Sequence, residues 1–247
     1  ARFNRPVRNM VCRAHTSGEL IGRLDEIPKL FSAERAIVWL DYQGPRQRHA
    51  QLVEFSQVLR RLAVGDLARI TLDLDTKGLE NRIEKEQPIT GDRAQRLAIA
   101  LKENLGAEFF PFGVESVSKA NLPEIVAAAI STACERTSTK TKKFVPLLRT
   151  KYQDTSRMLT VTVEVVGEDG VSRLPNWSFR PRGALDIISI ETPVLSPRER
   201  YAIESMLGRA PSSVVEELEF TTAEWMPYVR SYQRLQRFQP RLQETLE

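Results

Sequence analysis

The chain has 247 residues, 41% of them hydrophobic and 28% charged, with a formal net charge of +4. That is ample apolar material for a buried core in one large domain or two small ones. No apolar run approaches the roughly 20 residues that cross a bilayer, which excludes a membrane-spanning helix, and so modest and dispersed a charge does not by itself argue for nucleic acid.

The chain opens "ARFNRPVRNMV", with neither an initiator Met nor an apolar secretory segment, which points to a processed or truncated N-terminus. Val7 to Arg13 is predicted as a short strand. Thr16 and Glu19 then stand three apart, the spacing of a capping box, ahead of a helix with Leu20, Ile21 and Leu24 inward that is expected to end near Pro28. Next comes "AIVWLDYQGP", Ala36 to Pro45. Its five leading apolar residues predict a central parallel strand covered by helices on both faces, with Asp41 and Tyr42 where the chain leaves the sheet. From His49 to Ala63, Leu52, Phe55, Leu59 and Leu62 recur at helical spacing. Gly65 closes that helix, and Leu67 to Leu74 reads as a strand. A charged loop runs to Thr90, and a helix carrying Ala94, Leu97, Ala98, Leu101 and Leu105 ends at Gly106. The alternation of strand and helix is that of a parallel α/β sheet.

From Pro111 the rhythm changes, and a helical insertion over about 111–145 is predicted. Asn121, Pro123 and Glu124 supply an N-cap, an N1 proline and an N3 acid, and "TSTKTKKF" follows as a polar, basic loop. Met158 to Val166 and Ala184 to Pro193 are β-branched runs that read as adjacent antiparallel strands. Ser196, Pro197 and Glu199 start a helix closed by Gly208, and a last helix begins near Thr222. The expected domains are 1–193, an α/β unit, and 194–247, a helical extension packed on it. Cys12 and Cys134 lie far apart among apolar or small neighbours, which suits reduced thiols in a cytoplasmic protein.

In an open parallel sheet ligands bind beyond the carboxyl ends of the strands. Asp41 is there either to reach a ligand or to cap the Gly-Pro turn with an Asx bond. His15, Thr16 and Ser17 follow the first predicted strand and border the same crevice; Asp73 and Asp75 follow the third. Two such acids could hold a divalent cation, but no third ligand is identifiable and no metal site is expected. His49, at the start of its helix, is a candidate general base. The chain contains no Walker motif, GxSxG elbow or HExxH pair.

The stretches "RFNRP", "VWLDYQGP" (Val38 to Pro45), "YQDTSRMLT" (Tyr152 to Thr160), "TPVLSPRER" (Thr192 to Arg200) and "YVRSYQRLQRFQP" resemble the bacterial family described as "putative O-methyltransferases", of the class I S-adenosylmethionine-dependent fold. The resemblance implies a Rossmann-like, mostly parallel sheet with helices on both faces, an antiparallel last strand and a helical C-terminal extension. Val7 to Arg13, Ala36 to Tyr42 and Leu67 to Leu74 would be its third, fourth and fifth strands, and the two later runs its sixth and antiparallel seventh. The first two strands, with the glycine-rich loop for the cofactor, would then precede Ala1, and the chain is expected to be a fragment. By resemblance, His15, Thr16 and Asp41 bind S-adenosylmethionine, and Asp41, Tyr42 and His49 act on an acceptor whose identity, small or macromolecular, stays open.

A competing expectation is a non-catalytic module binding nucleic acid or protein. Arg230, Arg234, Arg237 and Arg241 form a basic stripe on the last predicted helix, and Lys140, Lys142, Lys143, Arg149, Lys151, Arg180 and Arg182 a second basic group.

Overall fold

The computed structural model of the chain describes residues 15–83, 92–153, 156–170, 180–183, 186–190, 197–206, 209–218, 226 and 229. The predicted strand from Val7 to Arg13 lies outside the described residues, as do the predicted cap at Ser196, the closing Gly208 and the four arginines of the C-terminal stripe.

Helix α1 (Ser17–Gly22) starts as its sequence requires, with Thr16 and Glu19 exchanging both hydrogen bonds of the capping box. It ends six residues before Pro28. The chain turns after Gly22, and Pro28 lies in the first turn of a separate short helix, α2 (Ile27–Leu30), where a missing N–H costs nothing. Strand β1 (Ile37–Asp41) leads through Gly44, at φ +99°, and a 3-10 turn at Pro45–Gln47 into α3 (Arg48–Arg61). β2 (Leu67–Asp73), α4 (Lys77–Ile83) and α5 (Arg93–Leu105) follow. α5 is opened by a second capping box, Asp92 with Gln95. α6 (Leu122–Thr137) begins after Asn121, but the Asn121 amide makes no cap bond. Its oxygen instead accepts from the backbone N–H of Ser118 at 2.7 Å. Three more strands follow: β3 (Lys143–Gln153), β4 (Arg157–Val166) and β5 (Ile188–Ile190), and then α7 (Pro197–Ser205) and α8 (Pro211–Glu217).

The strands form a mixed five-stranded sheet in the order β1-β2-β4-β3-β5. β1 and β2 pair in parallel, Ile37 opposite Leu67 and Asp41 opposite Thr71, while β2 and β4 pair antiparallel, Leu67 opposite Glu164 and Asp73 opposite Met158. This corrects the reading of the later strands. The antiparallel neighbour of β2 is β4, and β3 separates β4 from β5, so the two β-branched runs are not adjacent. The expected basic loop "TSTKTKKF" ends inside β3, whose Pro146, Arg149 and Lys151 interrupt the β-branched pattern that marks β4.

β1 is also not covered on both faces. Val38 and Leu40 are buried, whereas Ile37 and Trp39 are 74% and 52% exposed, and β1 ends the strand order among the described residues. The reason is one-sided packing. Val38, Leu40, Ile70, Leu72, Val161 and Val163 share one core with Leu52, Phe55 and Leu59 of α3 and Val126, Ala129 and Ile130 of α6. The opposite face carries polar side chains. Trp39 donates through Nε1 to Thr71 Oγ1 at 2.9 Å, Thr71 meets Thr160 at 2.9 Å, and the Arg69 guanidinium lies 4.7 Å from the Trp39 ring centroid.

Contacts divide the chain into two compact units, 1–151 with 155–188, and 152–154 with 189–247. The second has its own small core of Ile203, Met206, Val214, Val215 and Val229. Among the described residues no helix is long and apolar enough to cross a membrane.

Gly106 closes α5 at φ +84°, and a Cβ there would fall 2.4 Å from the His49 ring. Gly106→Ala is expected to lower stability by about 1–2 kcal/mol, combining left-handed backbone strain with displacement of that ring; urea denaturation measures it.

Candidate functional site at the ends of strands β1 and β2

Parallel pairing of β1 with β2 brings their carboxyl ends side by side. Asp41 is the exposed last residue of β1, and the next backbone N–H, that of Tyr42, donates to Thr71 O of β2 at 3.1 Å. The Asp41 carboxylate makes no hydrogen bond and no ion pair among the described residues. It therefore does not cap the Gly-Pro turn. That turn is held instead by Gln51, whose Nε2 donates to Gly44 O at 3.4 Å.

Tyr42 is half-buried, and its hydroxyl donates to Glu54 Oε2 of α3 at 2.5 Å. Burial, and then the adjacent Glu54 carboxylate, raise the phenol far above its usual range, with a smaller opposing influence from Ser17 at the start of α1. Tyr42 is thus a proton holder and not a base. Because the folded-state value is raised, its contribution to stability is fully present below about pH 10 and is lost at higher pH, where the unfolded chain ionises. Tyr42→Phe strips the half-buried Glu54 carboxylate of its donor and is expected to cost about 1–2 kcal/mol. Absorbance at 295 nm near pH 11 should be the same in the native wild type and the variant, since Tyr42 does not ionise there.

Ser17 comes to this site because α1 packs on α3. Thr16 is engaged in the cap: its N–H and hydroxyl donate to Glu19 Oε2 at 2.8 and 3.0 Å, and its oxygen accepts from the Glu19 N–H at 3.3 Å. His15 is exposed, with Nδ1 4.0 Å from the same carboxylate. Those hydrogen bonds and the His15 and Arg23 charges hold Glu19 below its usual value. His49 points elsewhere. Its Nε2 pairs with Glu108 Oε1 at 2.8 Å beyond the end of α5, and its ring is tilted against Phe109.

Asp73 and Asp75 do not converge on an empty cation site. The Asp73 carboxylate accepts from the Asp75 N–H at 2.7 Å and that of Asp75 from the Lys77 N–H at 2.9 Å, shaping the turn into α4. Among the described residues no three metal-ligating side chains gather.

The residue that organises this edge is Arg48, which the sequence reading passes over. It is 0% exposed. Nε and Nη2 donate to Asp73 O at 3.0 and 2.7 Å, Nη2 also to Asp75 O at 3.0 Å, and Nη1 to Asn104 Oδ1 at 2.8 Å. Asn104 in turn donates to Pro45 O and Arg46 O at 2.9 and 3.1 Å. One buried guanidinium thereby links the end of β2, α5 and the turn that follows Asp41. Burial lowers it to about 10, partly offset by Asp73 and Asp75, so it remains charged at neutral pH. A signal existed: Arg48 lies four residues before Leu52 on the buried stripe of α3.

Two members of the second basic group are engaged within the fold. Lys142 Nζ donates to Arg60 O at 3.2 Å and Leu62 O at 2.5 Å, capping the carboxyl end of α3, and Arg149 is buried.

A family model described as "Putative O-methyltransferase" matches residues 1–246. Comparison with curated proteins found no match.

Proposed function

Because the chain belongs to the putative O-methyltransferase family, we propose that it binds S-adenosylmethionine at the β1–β2 edge and transfers a methyl group to an oxygen. The observation that carries this reading is the exposed Asp41 carboxylate, without a partner among the described residues, at the carboxyl end of a parallel strand. Such an edge is where ligands bind in α/β sheets. An unpaired acid there is available as an acceptor for the hydroxyl or ammonium groups of the cofactor, and the half-buried Tyr42 ring borders it. The residues fit the polar part of the cofactor; a glycine-rich loop is not among those described.

When bound, S-adenosylmethionine supplies a methyl group on a sulfonium. The chain's own residues orient and manage protons. Arg48 and Asn104 hold the Pro45 turn and the end of β2 in register, so Asp41 is presented from a fixed backbone. Tyr42 keeps its proton on the Glu54 side, and Asp41 is the acid that receives the proton of the acceptor hydroxyl. His49 has no part in this arrangement, since Glu108 holds its ring.

Calorimetric titration of the protein with S-adenosylmethionine tests the proposal. Saturable one-to-one heat is expected, competed by S-adenosylhomocysteine; a folded sample giving no heat would sink it.

A further inference from the structure

The sheet face opposite α3 and α6 carries a fixed aromatic surface beside Asp41. Ile37, Trp39 and Asp41 alternate outward along β1, so the Trp39 and Asp41 side chains leave the same face about 7 Å apart, two residues of strand rise. Trp39 is 52% exposed, yet its indole is held at two points. Its Nε1–H donates to Thr71 Oγ1 at 2.9 Å, and that hydroxyl meets Thr160 at 2.9 Å, both threonines being buried. Arg69, opposite Trp39 in the β1–β2 pairing, sets its guanidinium carbon 4.7 Å from the ring centroid. A cation takes one face of the ring and a threonine its only donor, which leaves the exposed remainder of the indole to contacts through its π-system.

These features choose among ligands. A planar ligand fits, because a ring clamped in one orientation is a stacking surface ordered before binding. A cationic one does not, since Arg69 already stands over the same ring and would repel a second positive charge. A hydroxyl belongs on the side of Asp41, whose carboxylate has no hydrogen bond or ion pair among the described residues. One ring and one O–H···O bond of about 2.7 Å bridge the two side chains. Proton chemistry narrows the hydroxyl: a phenol ionises near about 10 and an aliphatic hydroxyl nearer to water, at about 15.7, so a carboxylate draws the proton of a phenol far more readily.

We propose that Trp39 and Asp41 form the acceptor subsite, and that the acceptor is a neutral phenol whose ring stacks on the Trp39 indole with its hydroxyl on Asp41. This rests on the methyl-transfer reading of the β1–β2 edge and names its substrate class. The phenolic oxygen bonds to the methyl carbon as the carbon–sulfur bond breaks with its electron pair left on sulfur, and the phenolic proton passes to Asp41.

The probe is 2-naphthol, titrated calorimetrically into the full chain without cofactor and again with saturating S-adenosylhomocysteine. Decahydro-2-naphthol, the same hydroxyl on a saturated, non-planar frame, is the control. Saturable one-to-one heat is expected for 2-naphthol under both conditions, with binding of the control at least about ten-fold weaker. Trp39→Leu should weaken 2-naphthol about ten-fold and leave the affinity for S-adenosylmethionine as in the wild type, while Trp39→Phe, which keeps a ring, should stay within about three-fold. No naphthol heat from a chain that binds S-adenosylmethionine, equal binding of the control, or naphthol affinity unaltered in Trp39→Leu would each overturn the acceptor subsite and leave the methyl-transfer reading standing. Displacement of 2-naphthol by S-adenosylhomocysteine would assign the indole to the cofactor and overturn the subsite too. Naphthol heat from a chain silent to S-adenosylmethionine would overturn the methyl-transfer reading, and the acceptor role with it.

Discussion

Asp41→Ala is expected to weaken S-adenosylmethionine binding by roughly 10- to 100-fold, the equivalent of about 1.5–3 kcal/mol for hydrogen bonds to a charged group. The same variant should melt with the wild type. The carboxylate is exposed and has no partner among the described residues, so its removal breaks nothing in the folded chain. That pairing of a large binding effect with a silent stability effect separates a ligand-facing acid from a turn-capping one, which would lose stability and spare binding. Asp41→Asn separates its two roles. The amide keeps an acceptor oxygen, so binding should fall by less than in the alanine variant, whereas turnover should fall further than binding because an amide cannot take up a proton. Equal losses in both variants, confined to binding, would remove the proton-accepting role and leave the binding role standing.

Arg48→Met is expected to be the most destabilising single substitution at this edge, at about 3–5 kcal/mol. The methionine fills part of the volume, but it leaves the carbonyls of Asp73 and Asp75 and the Asn104 oxygen without the donors that satisfy them. Because the side chain is wholly buried, solvent does not compensate. Chemical denaturation should show a lower midpoint with an unchanged slope. Arg48→Lys should recover little, since one ammonium cannot reach acceptors on β2, the turn after it and α5 together. Where the variant remains folded, binding at Asp41 should weaken as well, because Asn104 loses the group that holds it against the Pro45 turn. A cofactor affinity equal to that of the wild type would show that the turn keeps its place without Arg48.

Much of the local structure was legible. The capping box at Thr16 and Glu19, the buried stripe of α3 and the glycine closing α5 are interactions among residues a few positions apart, and spacing alone reports them. The end of α1 was misread because a proline three residues inside an apolar pattern marks a helix start as readily as a stop. β3 escaped notice for a related reason. Its lysines and arginines resemble a solvated loop until the fold shows that Arg149 faces α6 and that Lys142, just before the strand, turns onto the end of α3.

Chain order and side-chain periodicity by themselves determined that this is an α/β protein, that the run from Ala36 to Tyr42 holds a strand, which the structure places at Ile37–Asp41, and that Asp41 and Tyr42 stand at its carboxyl end. Tertiary structure alone decided the rest: which face of β1 is covered, that β4 and not a later run lies antiparallel to β2, that Glu54 holds the Tyr42 hydroxyl, that Glu108 claims His49, and that Arg48 ties the strand ends together. The physical reason is range. Hydrogen bonds between residues 12, 25, 56 and 59 positions apart leave no periodic trace in a sequence, and a buried charge is recognisable only by the acceptors that the fold brings around it.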